Sequence, residues 1–179
     1  LGLASSPVVS SDTLVVQDFD QNVTVMETDT GRSRWAIKAG DRLTRFVGNT
    51  RVDDRLVVSS DTEAMVFDIK TGEMRARQHL DVLSNTKPVI IGSLAIYGGT
   101  TGEVLAHNLA VGYKAWGYQL KGAIRADPVL LTGRDVGVVS QGGDVIILDG
   151  ERGAAQGRRA EIFGGLANDP VGDERAMYV

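Results

Sequence analysis

The sequence predicts an all-β chain of four-stranded antiparallel blades, a β-propeller with four blades and the start of a fifth, and three observations carry that prediction. The first is a period. Asp29-Thr30-Gly31, Lys70-Thr71-Gly72, Ala110-Val111-Gly112 and Glu151-Arg152-Gly153 put glycines at 31, 72, 112 and 153, separations of 41, 40 and 41. The second is register within the unit: Glu27, Asp68, Asn108 and Asp149 stand four residues before those glycines, and Asn22, Glu63, Glu103 and Asp144 nine before. The third is that short apolar runs alternate with turn chemistry between these markers, the pattern of hairpins stacked blade by blade.

In the first unit Pro7-Val8-Val9, Leu14-Val15-Val16, Val23-Thr24-Val25-Met26 and Arg34-Trp35-Ala36-Ile37 read as strands, separated by Ser11-Asp12, Asp20-Gln21-Asn22 and Asp29-Thr30-Gly31. Short polar side chains there bond nearby backbone, and glycine accepts positive φ. The second unit runs through Leu56-Val57-Val58, Ala64-Met65-Val66-Phe67 and Met74-Arg75-Ala76-Arg77, without an opening proline. The third has Pro88-Val89-Ile90-Ile91, Leu94-Ala95-Ile96-Tyr97, Val104-Leu105-Ala106 and Tyr113-Lys114-Ala115-Trp116. The fourth has Pro128-Val129-Leu130-Leu131, Val136-Gly137-Val138-Val139, Val145-Ile146-Ile147-Leu148 and a weak last strand near Arg158-Arg159-Ala160, and Pro170-Val171 with Ala176 to Val179 begins a fifth. The units are therefore placed at about 5–40, 47–80, 86–121, 126–162 and, in part, 168–179, as one propeller domain or fragment.

Prolines 7, 88, 128 and 170 each precede an apolar residue at the start of a unit. Proline cannot donate to a ladder, so these positions suit the first residue of an edge strand, the innermost strand of each blade. Nearly unbroken apolar runs such as Val145 to Leu148 suit strands covered on both faces, which places the core between blades. Glu73 to Asn85 leans locally toward a helix, with Met74, Leu80 and Leu83 in loose helical spacing. The repeat register and the alternation of Arg75 and Arg77 predict a strand instead.

Composition narrows the chemistry. The chain has 179 residues, 42% hydrophobic and 23% charged, enough for a sizeable core, and its net charge of -4 offers no basic field for nucleic acid. No apolar run approaches the roughly 20 residues that span a bilayer. Zero cysteines excludes disulfides and thiolate metal sites, and His79 and His107 sit at different repeat phases with no cluster around them. Asp18, Asp20 and Asn22 have calcium-loop spacing, but an EF-hand would need glycine at Val23 and glutamate at Asp29, so an ordinary hairpin turn is expected. Asn22-Val23-Thr24 is a glycosylation sequon lying at a repeat turn, and Gly142-Gly143 is read as turn glycine, with no Gly-Lys-Ser or Gly-Lys-Thr after it. No Gly-x-Ser-x-Gly elbow occurs.

With its Pro-Val-Val opening, the Asp68-Ile69-Lys70-Thr71-Gly72 turn and a tryptophan four residues after the glycine at Trp35 and Trp116, nearly the whole chain resembles the pyrroloquinoline-quinone-like β-propeller repeat family. In such propellers that tryptophan docks on an adjoining blade, so Trp35 and Trp116 are expected to be largely buried. Ala76 and Gly157 depart from the pattern. The resemblance implies a ring of seven or eight blades, of which this chain is an open arc; a self-closed four-bladed ring is the alternative. It also implies one of two functions, quinone-dependent alcohol or sugar dehydrogenase, or cofactor-free propeller that binds protein partners, outer-membrane assembly scaffolds among them.

The dehydrogenases often carry a vicinal cysteine pair beside the quinone, and no cysteine exists here. No catalytic, cofactor-binding or metal-binding residue can be assigned. The expectation is thus a non-catalytic scaffold with a protein or peptide partner, without cofactor, periplasmic or otherwise extracytoplasmic as the resemblance implies. A dehydrogenase fragment is the alternative. The candidate partner-binding residues are Arg42, Arg45, Lys87, Arg125, Asp127 and Asp169, on or beside the loops that join one unit's last strand to the next unit's first.

Overall fold

The computed structural model describes residues 2–162, 170–173 and 176–179, apart from the Arg158 side chain. Those residues are all β, with no α-helix. The first sheet is β1 (Val8–Val9), β2 (Thr13–Gln17), β3 (Asn22–Glu27) and β4 (Ser33–Lys38). The second is β5 (Phe46–Val52), β6 (Arg55–Ser60), β7 (Glu63–Asp68) and β8 (Met74–His79). The third is β9 (Val89–Ile91), β10 (Leu94–Gly98), β11 (Glu103–Asn108) and β12 (Tyr113–Gln119), and the fourth β13 (Val129–Leu130), β14 (Asp135–Val139), β15 (Asp144–Asp149) and β16 (Ala155–Glu161). A hairpin of β17 (Val171–Gly172) and β18 (Met177–Tyr178) follows. Strands neighbour one another in chain order within each sheet, the up-and-down meander of a propeller blade. The local helical lean of Glu73 to Asn85 loses to the register, since β8 occupies its first half as a strand.

The turn that sets the period is the same object four times. The glycine N–H donates to the carbonyl four residues back, Gly31 to Glu27 at 2.9 Å, Gly72 to Asp68 at 2.9 Å, Gly112 to Asn108 at 2.8 Å and Gly153 to Asp149 at 2.7 Å. All four glycines have positive φ, 68°, 75°, 81° and 69°, which side chains rarely adopt. Asp68 adds its carboxylate, accepting from the Thr71 and Lys70 N–H groups, and those bonds hold its pKa down at about 2. Asp149 repeats the geometry with Glu151 and Arg152.

Proline sets the inner strands' length. Where Pro7, Pro88, Pro128 or Pro170 opens a unit, the innermost strand has 2, 3, 2 or 2 residues; in the unit without one, β5 runs for 7. The missing N–H ends the ladder at the proline, and its absence lets β5 pair with β6 across a bulge between Phe46 and Gly48.

The chain falls into two compact units, Leu1–Gln78 and His79–Val179. In the first, Val15, Val23 and Val25 of one sheet and Leu56, Val58, Met65 and Phe67 of the other bury a shared core. In the second, Ile96, Val104 and Ala106 do the same with Val136, Val138, Ile146 and Leu148. Trp35 and Trp116 lie at the rim of these cores, half-buried rather than deeply buried as expected, because the last strand of each sheet is its outer edge. Each indole nevertheless docks. Trp35 Nε1–H donates to the Ile69 carbonyl at 2.9 Å, and Trp116 Nε1–H to the Gly150 carbonyl at 3.1 Å, in both cases on the glycine turn of the following sheet. The rings rest where a Cβ on Gly72 or Gly153 would stand, 2.8 Å from Trp35 Cδ2 and 2.5 Å from Trp116 Cε3. The turn glycine is thus required twice, for its φ and for the ring above it.

Candidate functional site

In each unit one edge gathers two kinds of connection: the loops leaving a sheet's last strand and the turns between its second and third strands. Backbone bonds lace them together. In the first unit the Ala39 N–H donates to the Gln21 carbonyl at 2.9 Å and the Asp61 N–H to the Arg45 carbonyl at 2.9 Å. The same stitching recurs in the second, from Leu120 to Gly102 at 2.9 Å, Ile124 to Gly99 at 3.0 Å and Gln141 to Ala123 at 2.8 Å. A loop held this way presents side chains from a fixed backbone, which lowers the entropy lost when something binds.

The loop from Ala39 to Phe46 is folded around Asp41. Its Oδ1 accepts from the Leu43 N–H at 2.8 Å and the Thr44 N–H at 3.1 Å, while the Asp41 N–H donates to Thr44 Oγ1 at 2.9 Å. The Leu43 N–H and the Thr44 hydroxyl hold the Asp41 pKa below its usual value. This turn pushes Leu43 into solvent, 91% exposed. Phe19, on the turn between β2 and β3, is 68% exposed. Ala4, Phe19, Gln21 and Arg42 to Phe46 line a cleft of about 280 Å³. Among the described residues Arg42 makes no salt bridge, Arg45 lies 3.6 Å from Asp61, and the buried Gln21 Oε1 has no hydrogen-bond partner. An apolar surface bordered by guanidinium groups is chemistry for gripping a polypeptide rather than for making or breaking a bond.

Of the residues predicted from sequence, Arg42 and Arg45 come together on this cleft. Lys87 and Asp127 come together in the second unit, where Asp127 Oδ1 accepts from the Lys87 N–H at 2.8 Å and Oδ2 lies 3.8 Å from Lys87 Nζ. Arg125 is exposed nearby in sequence, as is Leu83. Asp169 lies outside the described residues. Sequence reasoning missed Phe19 and Leu43. A phenylalanine between Asp18 and Asp20, and a leucine between Arg42 and Thr44-Arg45, were visible as apolar residues inside polar turns. A larger cleft of about 500 Å³, lined by Leu131, Val145, Ile147, Gly157 and Met177 among others, contains none of the predicted residues.

The remaining candidates are structural. Asp18 is tied to Asn22, accepting from its N–H at 2.9 Å and its Nδ2 at 2.9 Å, an ordinary turn closure. Among the described residues no group of three or more His, Cys, Asp or Glu side chains comes together as a metal centre. His107 is fully buried on β11, and burial pushes its pKa below the ordinary 6.5. A folded-state value below the unfolded one means that the unfolded chain binds the proton more readily. Its contribution is intact above about pH 6.5 and is lost as the pH falls below that. Urea midpoints should therefore decline from pH 7 toward pH 5, and His107→Gln should flatten that decline if the variant folds; an unchanged slope would exclude His107 as its source.

A family model described as outer membrane protein assembly factor BamB matches residues 2–179. The chain belongs to that family. Among solved structures, BamB from Moraxella catarrhalis is similar at 24% identity, with a TM-score of 0.71, over 93% of this chain and 51% of that one. The computationally designed Ika8 protein is similar at 16% identity and a TM-score of 0.75, over 94% and 51%. A europium-containing methanol dehydrogenase is similar at 14% identity and a TM-score of 0.64, over 87% and 41%. At these identities the likeness establishes the fold, and the BamB-family chain spans about half the length of the first two structures. A comparison with curated proteins found no match. No helix among the described residues is long and apolar enough to cross a membrane.

Proposed function

We propose that this BamB-family chain is a non-catalytic binding or scaffolding module of the periplasm, one propeller domain or part of one, that holds a protein partner at its loop edge. The observation that carries the reading is the pair of exposed large side chains, Leu43 and Phe19, beside a cleft bordered by Arg42 and Arg45. Exposed apolar groups rimmed by polar ones mark interaction surfaces, and arginine is enriched in them. The family description supports a partner drawn from the outer membrane assembly machinery. In the second unit, Lys87, Arg125 and Asp127 are the candidates on that unit's own loop edge.

The test is photocrosslinking in the cell, with the probe at Phe19, and at Val111 on a glycine turn as the control. A discrete protein adduct is expected at 19 and not at 111. Adding Leu43→Asp and Arg42→Glu should reduce it at least tenfold while leaving the melting temperature unchanged. No adduct at 19, or one untouched by these substitutions, would overturn the reading.

A further inference from the structure

We infer that the cleft beside Phe19 and Leu43 takes one large apolar side chain from an extended peptide segment that carries a carboxylate close by, and that Arg42 selects for that charge. The inference rests on the reading of this edge as a partner surface. Size decides what enters. The cleft holds about 280 Å³, below the roughly 300–1,000 Å³ of sites that enclose a whole small molecule, so a single side chain with its backbone left outside is the matching occupant. The base of the cleft is apolar, since Phe46 is buried in the core of the first unit and Ala4 packs against that core. Its walls are fixed. The Phe19 N–H donates to the Gly2 carbonyl at 3.2 Å and the Ala4 N–H to the Gln17 carbonyl at 2.8 Å. A Cβ built on Gly2 would stand 2.8 Å from Phe19 Cδ2, so the aromatic ring lies against the Gly2 backbone. On the other side the Asp41 turn holds Leu43 and Thr44.

Charge narrows the occupant further. Among the described residues, the charged side chains that line the cleft are Arg42 and Arg45, both cations. They are not equivalent. Arg45 has Asp61 beside it, whereas Arg42 is exposed on the loop with no salt bridge among the described residues, and its guanidinium donors face what arrives from solvent. A guanidinium next to an apolar recess favours a carboxylate, which it can grip with two parallel bonds. Side chains two apart in an extended segment point to one face, so a carboxylate within two residues of the inserted group reaches the rim. An anionic lipid surface is the poorer match. Laid flat on this edge it would meet Asp20, Asp41 and Asp61 as well as the arginines, on a chain of net charge -4. An inserted segment meets the lining alone, where both charges are positive.

The probe is an unlabelled peptide with capped ends and a central phenylalanine flanked by aspartates, titrated into the full chain by calorimetry. Three controls replace the aspartates with asparagines, the aspartates with lysines, or the phenylalanine with alanine. The aspartate peptide is expected to bind at least tenfold tighter than each control, and added salt should erase most of its margin over the asparagine peptide. Arg42→Gln should bring those two within twofold, Leu43→Asp should weaken the aspartate peptide at least tenfold, and Arg42→Glu should make the lysine peptide the tightest of the four. That last reversal is a gain, which a misfolded variant could not show. Equal binding of the aspartate and asparagine peptides, a preference that survives Arg42→Glu, no binding of any peptide, or binding of anionic phospholipid vesicles in place of peptide would overturn the inference. The crosslinking result separates the two readings: an adduct at 19 without an aspartate preference removes the stated chemistry and keeps the partner surface, whereas no adduct removes both.

Discussion

Gly153→Ala should destabilise the protein by about 3 kcal/mol, whereas Gly31→Ala should cost only about 1 kcal/mol. The two glycines have nearly the same backbone, φ of 69° and 68°, and donate the same N–H bond four residues back. The left-handed conformation therefore penalises alanine about equally at both. The neighbourhood differs. Nothing lies within 4 Å of a Cβ built on Gly31, while one on Gly153 would stand 2.5 Å from Trp116 Cε3 and 2.6 Å from Cδ2. The indole must lift, giving up its packing on the turn and its 3.1 Å bond to the Gly150 carbonyl. Denaturant titration of the two variants checks the difference; equal losses would show that the ring does not rest on the glycine. Gly72→Ala should behave like Gly153→Ala, since a Cβ there would meet Trp35 Cδ2 at 2.8 Å.

Most of the fold was legible because the turn chemistry is local. A glycine with positive φ, an aspartate able to accept from the N–H groups two and three residues ahead, and a proline that stops a ladder each act within a few residues, so their spacing in sequence is their spacing in the blade. The strand at Met74–His79 was legible only through register, since its own residues lean the other way. The candidate site was less legible. Arg42 and Arg45 could be placed on an edge loop, but the exposure of Leu43 depends on how Asp41 folds that loop, and its proximity to Phe19 on a bond between Ala39 and Gln21, which lie 18 residues apart in the chain. The depth of the tryptophans was misjudged for a similar reason. A repeat motif says that an indole meets the next turn, while the outer position of its strand decides how much solvent still reaches it.

Trp116→Ala should cost about 3 kcal/mol and Trp116→Phe about 1 kcal/mol of stability. The indole contributes in two separable ways. Its ring covers Gly153 and packs against the core that Ile96, Val104 and Val136 share, and its N–H satisfies the Gly150 carbonyl at 3.1 Å. Phenylalanine keeps most of the ring and loses the donor; because the site is half-exposed, water can reach the freed carbonyl, which holds the loss to the net value of one hydrogen bond. Alanine removes both and uncovers the turn glycine, though partial exposure of the ring keeps the cost at the lower end for a large aromatic truncation. The matching substitutions at Trp35 should follow the same order, and the face-tilted contact of Trp35 with Phe67, ring centroids 6.0 Å apart, should make Trp35→Ala the costlier of the two alanine variants. Urea titration followed by circular dichroism measures all four. A phenylalanine variant as damaging as the alanine one would assign the dock to the hydrogen bond, and an alanine variant costing under about 0.5 kcal/mol would show that the docked indole contributes little to stability.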